Sequence, residues 1–91
     1  MSKKKINIAV IGATGYVGLD LIYLLSNHRK ARIKHLCAKR NIGKPIKLFD
    51  PRIKKKLPKI SKVSNILWKE LDLVFLSLPS GECQKIIKNN I

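Results

Sequence analysis

Apolar residues in this chain gather in short blocks, and the spacing within the blocks changes along the sequence. Ile6 to Ile11 (INIAVI) is a nearly continuous apolar run rich in β-branched residues. Such a run predicts a strand buried on both faces, as parallel sheets require. Gly12, Gly15 and Gly18 follow at once. Beyond them the period becomes helical: Val17, Leu21, Leu24 and Leu25 recur on one face, and Ile22 widens the stripe. This helix is expected to fade near Ser26-Asn27-His28.

Arg32 to Ala38 (RIKHLCA) predicts a second, more polar strand. Residues 41–70 lose any period, because Gly43, Pro45, Pro51 and Pro58 interrupt regular structure. Lys54-Lys55-Lys56 reads as a solvated loop, and a brief strand is expected near Ile60 to Val63. Leu73 to Leu78 (LVFLSL) restores the buried-strand pattern. It ends at Pro79-Ser80-Gly81, where Ser80 is placed to cap a helix running through Ile86 and Ile87.

Strands alternating with helices argue for a parallel sheet with right-handed crossovers. The fold expected is therefore α/β, a Rossmann-like dinucleotide-binding domain with a parallel sheet. Residues 1–91 would form its N-terminal part, since another strand is due where the sequence reaches Asn89-Asn90-Ile91. If the strands follow the common doubly wound order 3-2-1-4-5-6, Leu73 to Leu78 would form an open apolar edge.

Composition changes this picture little. At 91 residues the chain makes one small domain at most, and 45% hydrophobic content is ordinary for a folded protein. Cys37 and Cys83 form neither a CxxC pair nor a metal spacing, so no disulfide framework and no metal site is expected. No apolar run is long enough to span a bilayer, and the basic start Met1-Ser2-Lys3-Lys4-Lys5 reaches glycines too soon for a signal peptide. A cytoplasmic protein without membrane contact is expected.

Charge is the unusual feature: 20 Lys and Arg face 5 Asp and Glu, a net +15. A basic balance this strong raises nucleic-acid binding. The basic stretch nevertheless has no interleaved aromatics and neither a helix-turn-helix nor an RNP pattern. The abundance of Lys, Ile and Asn is also what a biased source genome produces. No nucleic-acid partner is expected, and the positive field is read as an attraction for small anions.

Candidate chemistry lies first in Gly12-Ala13-Thr14-Gly15-Tyr16-Val17-Gly18. Its context, between a buried strand and an amphipathic helix, is what makes a glycine motif credible as a dinucleotide loop. Glycines let backbone approach a pyrophosphate closely, and the helix N-terminus presents N–H groups and a positive dipole end. The second strand ends at Ala38-Lys39-Arg40. An Asp or Glu there would hold the ribose 2′-hydroxyl of NAD. Lys39 and Arg40 favour the 2′-phosphate of NADP instead. Leu78, Pro79 and Ser80, ending the strand that would lie across the switch point, complete the candidate cofactor site.

With these segments in view, the chain resembles the N-acetyl-gamma-glutamyl-phosphate reductases of the semialdehyde dehydrogenase family. The resemblance rests on IAVIGATGYVG with Tyr16, on Lys39-Arg40 followed by Ile42-Gly43-Lys44-Pro45, and on LDLVFLSLPSGECQKII from Leu71 to Ile87. It spans nearly the whole chain but only the first part of a family member. It departs from the family at Ser80, where many members carry a histidine.

The resemblance implies NADPH-dependent reduction of N-acetyl-gamma-glutamyl phosphate to N-acetylglutamate semialdehyde, with phosphate release, in arginine biosynthesis. A cysteine nucleophile and a histidine acid-base partner are implied beyond residue 91, in a catalytic and dimerisation domain absent from this chain. It implies an acyl phosphate substrate and a homo-oligomeric full-length protein. No catalytic residue is then assigned here: Cys83 does not match the family's catalytic motif, and Cys37 reads as a small core residue. His28 and His35 read as surface residues. This chain would supply cofactor binding and be inactive as a reductase alone. Alternatives left open are an aspartate-semialdehyde dehydrogenase-like segment, a short-chain dehydrogenase-like segment and a non-catalytic dinucleotide-binding module.

Overall fold

A computed structural model describes residues 5–78 and 84–85. Strand β1 (Ile6–Ile11) leads through the glycine turn into helix α1 (Tyr16–Ser26) and strand β2 (Ala31–Cys37). Two-residue β3 (Ile60–Ser61) and β4 (Leu73–Leu76) follow, with single 3₁₀ turns at Ile46–Leu48, Val63–Asn65 and Trp68–Glu70. The strands form one sheet in the order β3-β2-β1-β4, and every pairing is parallel. This is the expected α/β architecture, and β4 pairs only with β1 among the described residues. No helix among them is long and apolar enough to cross a membrane.

Alternation in β1 sends Ile8 and Val10 to one sheet face and Ile11 to the other. The first face packs under α1 with Ile22, Ile33, Leu36, Ile46, Ile53 and Ile60. The second collects Ile11, Cys37 and Ile66 beneath Val63, Trp68 and Leu71. Because β1 is covered on both sides from Ile8 to Ile11, that part of its run is wholly apolar, as expected of a parallel-sheet strand.

Strand β2 is less regular for a physical reason. Ile8 pairs with Ile33 but Ala9 pairs with His35, so Lys34 is an extra residue. The irregularity resets the side-chain alternation, which lets Ile33 and Leu36 both reach the α1 face although they are three positions apart.

Helix α1 corrects the expected stripe. Its buried positions are Gly18, Ile22 and Ser26, spaced four apart. Leu21 and Leu25 pack partly against the core, whereas Val17 and Leu24 are 70% and 65% exposed. The residue without a side chain, Gly18, marks the line of closest approach, and the stripe follows from it. Residues 54–56 are exposed, as expected of a solvated loop. The surrounding connection is nevertheless anchored, since Ile46, Ile53 and Ile60 are each at most 2% exposed.

Arg52 fastens this connection to α1. Its Nε and Nη2 donate to both oxygens of the buried Asp50, at 2.7–3.1 Å, and Nη2 also reaches Asp20 Oδ1 at 2.7 Å. The guanidinium lies 4.5 Å from the centre of the Tyr23 ring. Hydrogen bonding to Arg52 holds the Asp50 carboxyl below the usual carboxylate range, and the same pairing, with Asp20, pushes the guanidinium pKa up.

Candidate cofactor site

The C-terminal ends of all four strands meet in one cleft. A cavity of about 290 Å³ is lined by Gly12, Thr14, Gly15, Lys39, Arg40 and Ser77, among others. A second, of about 410 Å³, continues past Gly12, Ala38, Lys39 and Leu78, which both share, to Lys62 and Val63 after β3. Together they reach the volume of a small-molecule site. Their place is where ligands bind in open α/β sheets, outside the carboxyl ends of the strands. A larger cavity, about 720 Å³, opens among Lys5, Asn27, His28, Arg29 and Lys30 at the opposite end of β1 and β2. Neither a glycine turn nor a strand C-terminus approaches it, so it is not the candidate site.

The glycine turn is held from two sides. The amides of Gly12 and Ala13 both donate to the Cys37 carbonyl, at 2.8 and 3.0 Å, which ties the turn to the end of β2. On the other side the Ser77 amide donates to the Ile11 carbonyl at 2.8 Å. Gly12 has φ +87°, and a Cβ there would overlap the Ser77 carbonyl oxygen. A Cβ on Gly18 would overlap the Gly12 carbonyl oxygen, so that glycine sets how closely α1 packs on the turn.

Gly15 is different. Its φ of −75° and ψ of 163° suit any residue, and a Cβ would meet only Gly12 O at 3.6 Å, an ordinary contact. The protein itself does not require glycine there. The open space lies at the N-terminus of α1, where no side chain caps the helix and no acid stands in the first turn. An anion would suit that position, since first-turn N–H groups have no partner within the helix and the helix dipole favours negative charge.

At the far wall, Lys39 and Arg40 follow β2 directly and line the cleft together. Asn41 also lines it, and its φ of +66° is one that asparagine tolerates better than most residues. No carboxylate lines either cavity among the described residues. Asp20 and Asp50 are engaged by Arg52, and Asp72 accepts from the Asn7 amide at the other end of β1. The described residues therefore fit a phosphorylated dinucleotide: a glycine cradle, a helix N-terminus and two cationic side chains in the lining.

The sequence-derived site residues sort into separate roles. Gly12, Thr14, Gly15, Lys39, Arg40 and Leu78 line the cleft. Ala13 is fully buried beneath the turn and Gly18 serves packing. Tyr16 and Val17 turn their side chains to solvent, at 91% and 70% exposure, and line neither cavity. Pro79 and Ser80 lie outside the described residues, as does Cys83. Of the helix expected after Ser80, Gln84 and Lys85 are described and are helical.

Sequence reasoning missed Asn41, Lys62, Val63 and Ser77. Each sits one or two residues past a strand or within its following turn, a positional signal that becomes usable only once the strand ends are known.

Cys37 is an inert core thiol. It is fully buried, burial pushes its pKa up, and its Sγ lies 3.8 Å from Ser61 Oγ in a weak hydrogen bond. His35 is half-buried, not a surface residue as expected. Its Nε2 accepts from the Leu67 amide at 3.4 Å, and burial, with the Lys34 charge, lowers its pKa.

Comparison with known proteins agrees with this geometry. Residues 7–91 match the family model described as semialdehyde dehydrogenase, NAD binding domain. The chain is 41% identical over 86 residues to the N-acetyl-gamma-glutamyl-phosphate reductase of Ehrlichia ruminantium strain Gardel, covering 92% of this chain and 25% of that protein. The enzyme of the same name from Brachyspira hyodysenteriae is 43% identical over 76 residues, 84% of this chain and 22% of that protein. Among solved structures, aspartate semialdehyde dehydrogenase with NADP from Candida albicans superposes with a TM-score of 0.73 at 30% identity. That match covers 93% of this chain and 26% of the other. The chain thus spans about a quarter of the length of the curated relatives it matches. It belongs to the semialdehyde dehydrogenase family of NAD(P)-dependent oxidoreductases, as part of their NAD-binding domain.

Proposed function

We propose that this chain is the cofactor-binding part of an N-acetyl-gamma-glutamyl-phosphate reductase that uses NADPH. The observation that carries the cofactor choice is the wall after β2, where Lys39 and Arg40 line the cleft at the place an acidic residue takes in NAD sites. The observation that favours the substrate is the name borne by relatives identical to it at about two-fifths of the aligned positions. Bound NADPH would supply the hydride that reduces an acyl group to an aldehyde. The chain's own residues would bind and orient it: the Gly12–Gly18 turn and the start of α1 hold the pyrophosphate, and Lys39 and Arg40 hold the 2′-phosphate.

In this reading the acyl phosphate chemistry is performed by residues outside these 91, since the described thiol, Cys37, is buried away from the cleft. The whole protein would act in the cytoplasm as a homo-oligomer and release phosphate with the semialdehyde. The NADP-bound aspartate semialdehyde dehydrogenase that superposes on this fold supports a second substrate reading.

The two are separated in the direction of oxidation, by following NADP reduction with inorganic phosphate and either N-acetylglutamate semialdehyde or aspartate semialdehyde. The protein tested is a relative in which residues 7–91 of this chain replace the matching segment. Turnover of the acetylated substrate with NADP and not NAD supports the proposal. Turnover with NAD alone would overturn the cofactor assignment, and a chimera built on either relative that works only with the aspartate enzyme would overturn the substrate assignment.

A further inference from the structure

The cleft has more cationic lining than Lys39 and Arg40. Its larger cavity has an apolar floor, made by Ile11, Ala38, Val63 and Leu78. Lys39 and Lys62 stand on its rim, with Lys85 also lining it. These come from separate segments: Lys39 follows β2, and Lys62 follows β3, the strand beside it. The parallel pairing Cys37↔Ser61 aligns the last residues of the two strands, so Ala38-Lys39 and Lys62 leave the sheet side by side. The Ala38 amide donates to the Ser61 carbonyl at 3.4 Å, which fixes that alignment one residue before Lys39 and Lys62 emerge.

An apolar floor suits the face of a purine ring. With the pyrophosphate at Gly15 and the ring over Val63 and Leu78, the ribose between them falls beside Lys39, the one charged residue that both cavities share. Resting on the dinucleotide reading above, we propose that Lys62 is a specificity-determining residue that, with Lys39, brackets the 2′-phosphate of the adenosine half. Cofactor choice is then carried by two adjacent loops, not by the turn after β2 alone. Lys62 is exposed and the backbone carbonyl it contributes to the Val63–Asn65 turn is independent of its side chain, so its replacement leaves the fold intact.

The test compares adenosine 2′,5′-bisphosphate with AMP, which differ only in the 2′-phosphate, by calorimetric titration of the protein. Lys62→Ala should weaken the bisphosphate about tenfold, the size of one charged hydrogen bond, and change AMP by less than roughly twofold. Lys62→Arg should retain the discrimination, and Lys55→Ala, an exposed lysine remote from the cleft, should leave both ligands unchanged. Equal weakening of both ligands by Lys62→Ala, or no weakening, overturns the inference. If the wild type prefers the bisphosphate and only Lys39→Ala abolishes that preference, the inference fails while the NADP reading stands. If the folded wild type binds neither ligand, the dinucleotide reading fails and takes the inference with it.

Discussion

Gly12 and Ser77 meet with no room between them. Ser77 ends the β1–β4 ladder by donating its amide to the Ile11 carbonyl at 2.8 Å, and its own carbonyl oxygen occupies the place where a side chain on Gly12 would begin. The glycine turn is thereby built against a strand end 65 positions later in the sequence, and the cleft forms only when β4 docks on β1. Asn7 secures the other end of that docking. Its amide donates to Asp72 Oδ2 at 2.9 Å, its side-chain amide to the Glu70 carbonyl at 2.9 Å, and the Asp72 amide returns a bond to the Asn7 carbonyl.

The three glycines of the turn should therefore respond differently to alanine. Gly12→Ala carries a backbone penalty of roughly 1–2 kcal/mol for its left-handed conformation, plus the overlap with Ser77. Gly18→Ala should also destabilise, by pushing α1 off the turn. Gly15→Ala should cost less than about 1 kcal/mol, since only its helix-capping preference is lost, yet it should abolish dinucleotide binding by filling the pyrophosphate space. Thermal melts beside cofactor titrations check this, and a Gly15→Ala variant that binds normally would show the space to be incidental.

Ile53 lies in a stretch without periodicity but is 1% exposed. Ile53→Ala should destabilise by about 2–4 kcal/mol through lost burial and a residual cavity. Lys55→Ala, two residues on and exposed, should change the denaturation midpoint little. Similar effects for the two would mean that the connection does not pack as described.

Arg52 joins Asp50 and Asp20, so Arg52→Ala should lower the melting temperature by leaving Asp50 buried without its cation. Adding Asp50→Asn should recover part of the loss. The Asp50 carboxyl is held below its ordinary value of 3.8 by the Arg52 hydrogen bonds. Its contribution is then complete above 3.8 and is lost as pH falls through the lower folded value. Acid melts of wild type and Asp50→Asn should diverge at neutral pH and converge in strong acid; parallel curves would contradict the pairing.

His35 acts in a separate range. Burial lowers its pKa below the ordinary 6.5, with Lys34 adding to the shift and Glu70 opposing it. The unfolded chain takes up the proton first as pH falls, so stability from this group is complete above 6.5 and declines as pH drops through the folded value. His35→Gln should flatten that part of the stability profile. An unchanged slope in the variant would mean that the Leu67 contact does not depend on a neutral imidazole.

What was legible in the sequence was local. The run from Ile6 to Ile11 announced a doubly covered strand because Ile8 to Ile11 are all buried against protein, and the glycine turn was legible because its spacing is set by one strand and one helix. Lys39 and Arg40 were found by counting from that turn. The stripe on α1 was misjudged at Val17 and Leu24 because helical period alone does not say which face is inward; the closeness permitted by Gly18 decides it. Ile46, Ile53 and Ile60 are isolated apolar residues among prolines and lysines, and their burial is created by α1 and the sheet. Lys62 and Ser77 reach the cleft only through the parallel alignment of strands distant in sequence, a relationship that no local pattern contains.

The central claim is that this cleft selects a 2′-phosphorylated dinucleotide, and it is tested most directly by titrating the protein with NADPH and NADH beside a Lys39→Ala, Arg40→Ala double variant. The account predicts tighter binding of NADPH to the wild type, with the preference falling by at least about tenfold in the double variant while NADH binding holds. Equal affinity of the folded wild type for both cofactors, or a preference that survives loss of both side chains, would contradict it.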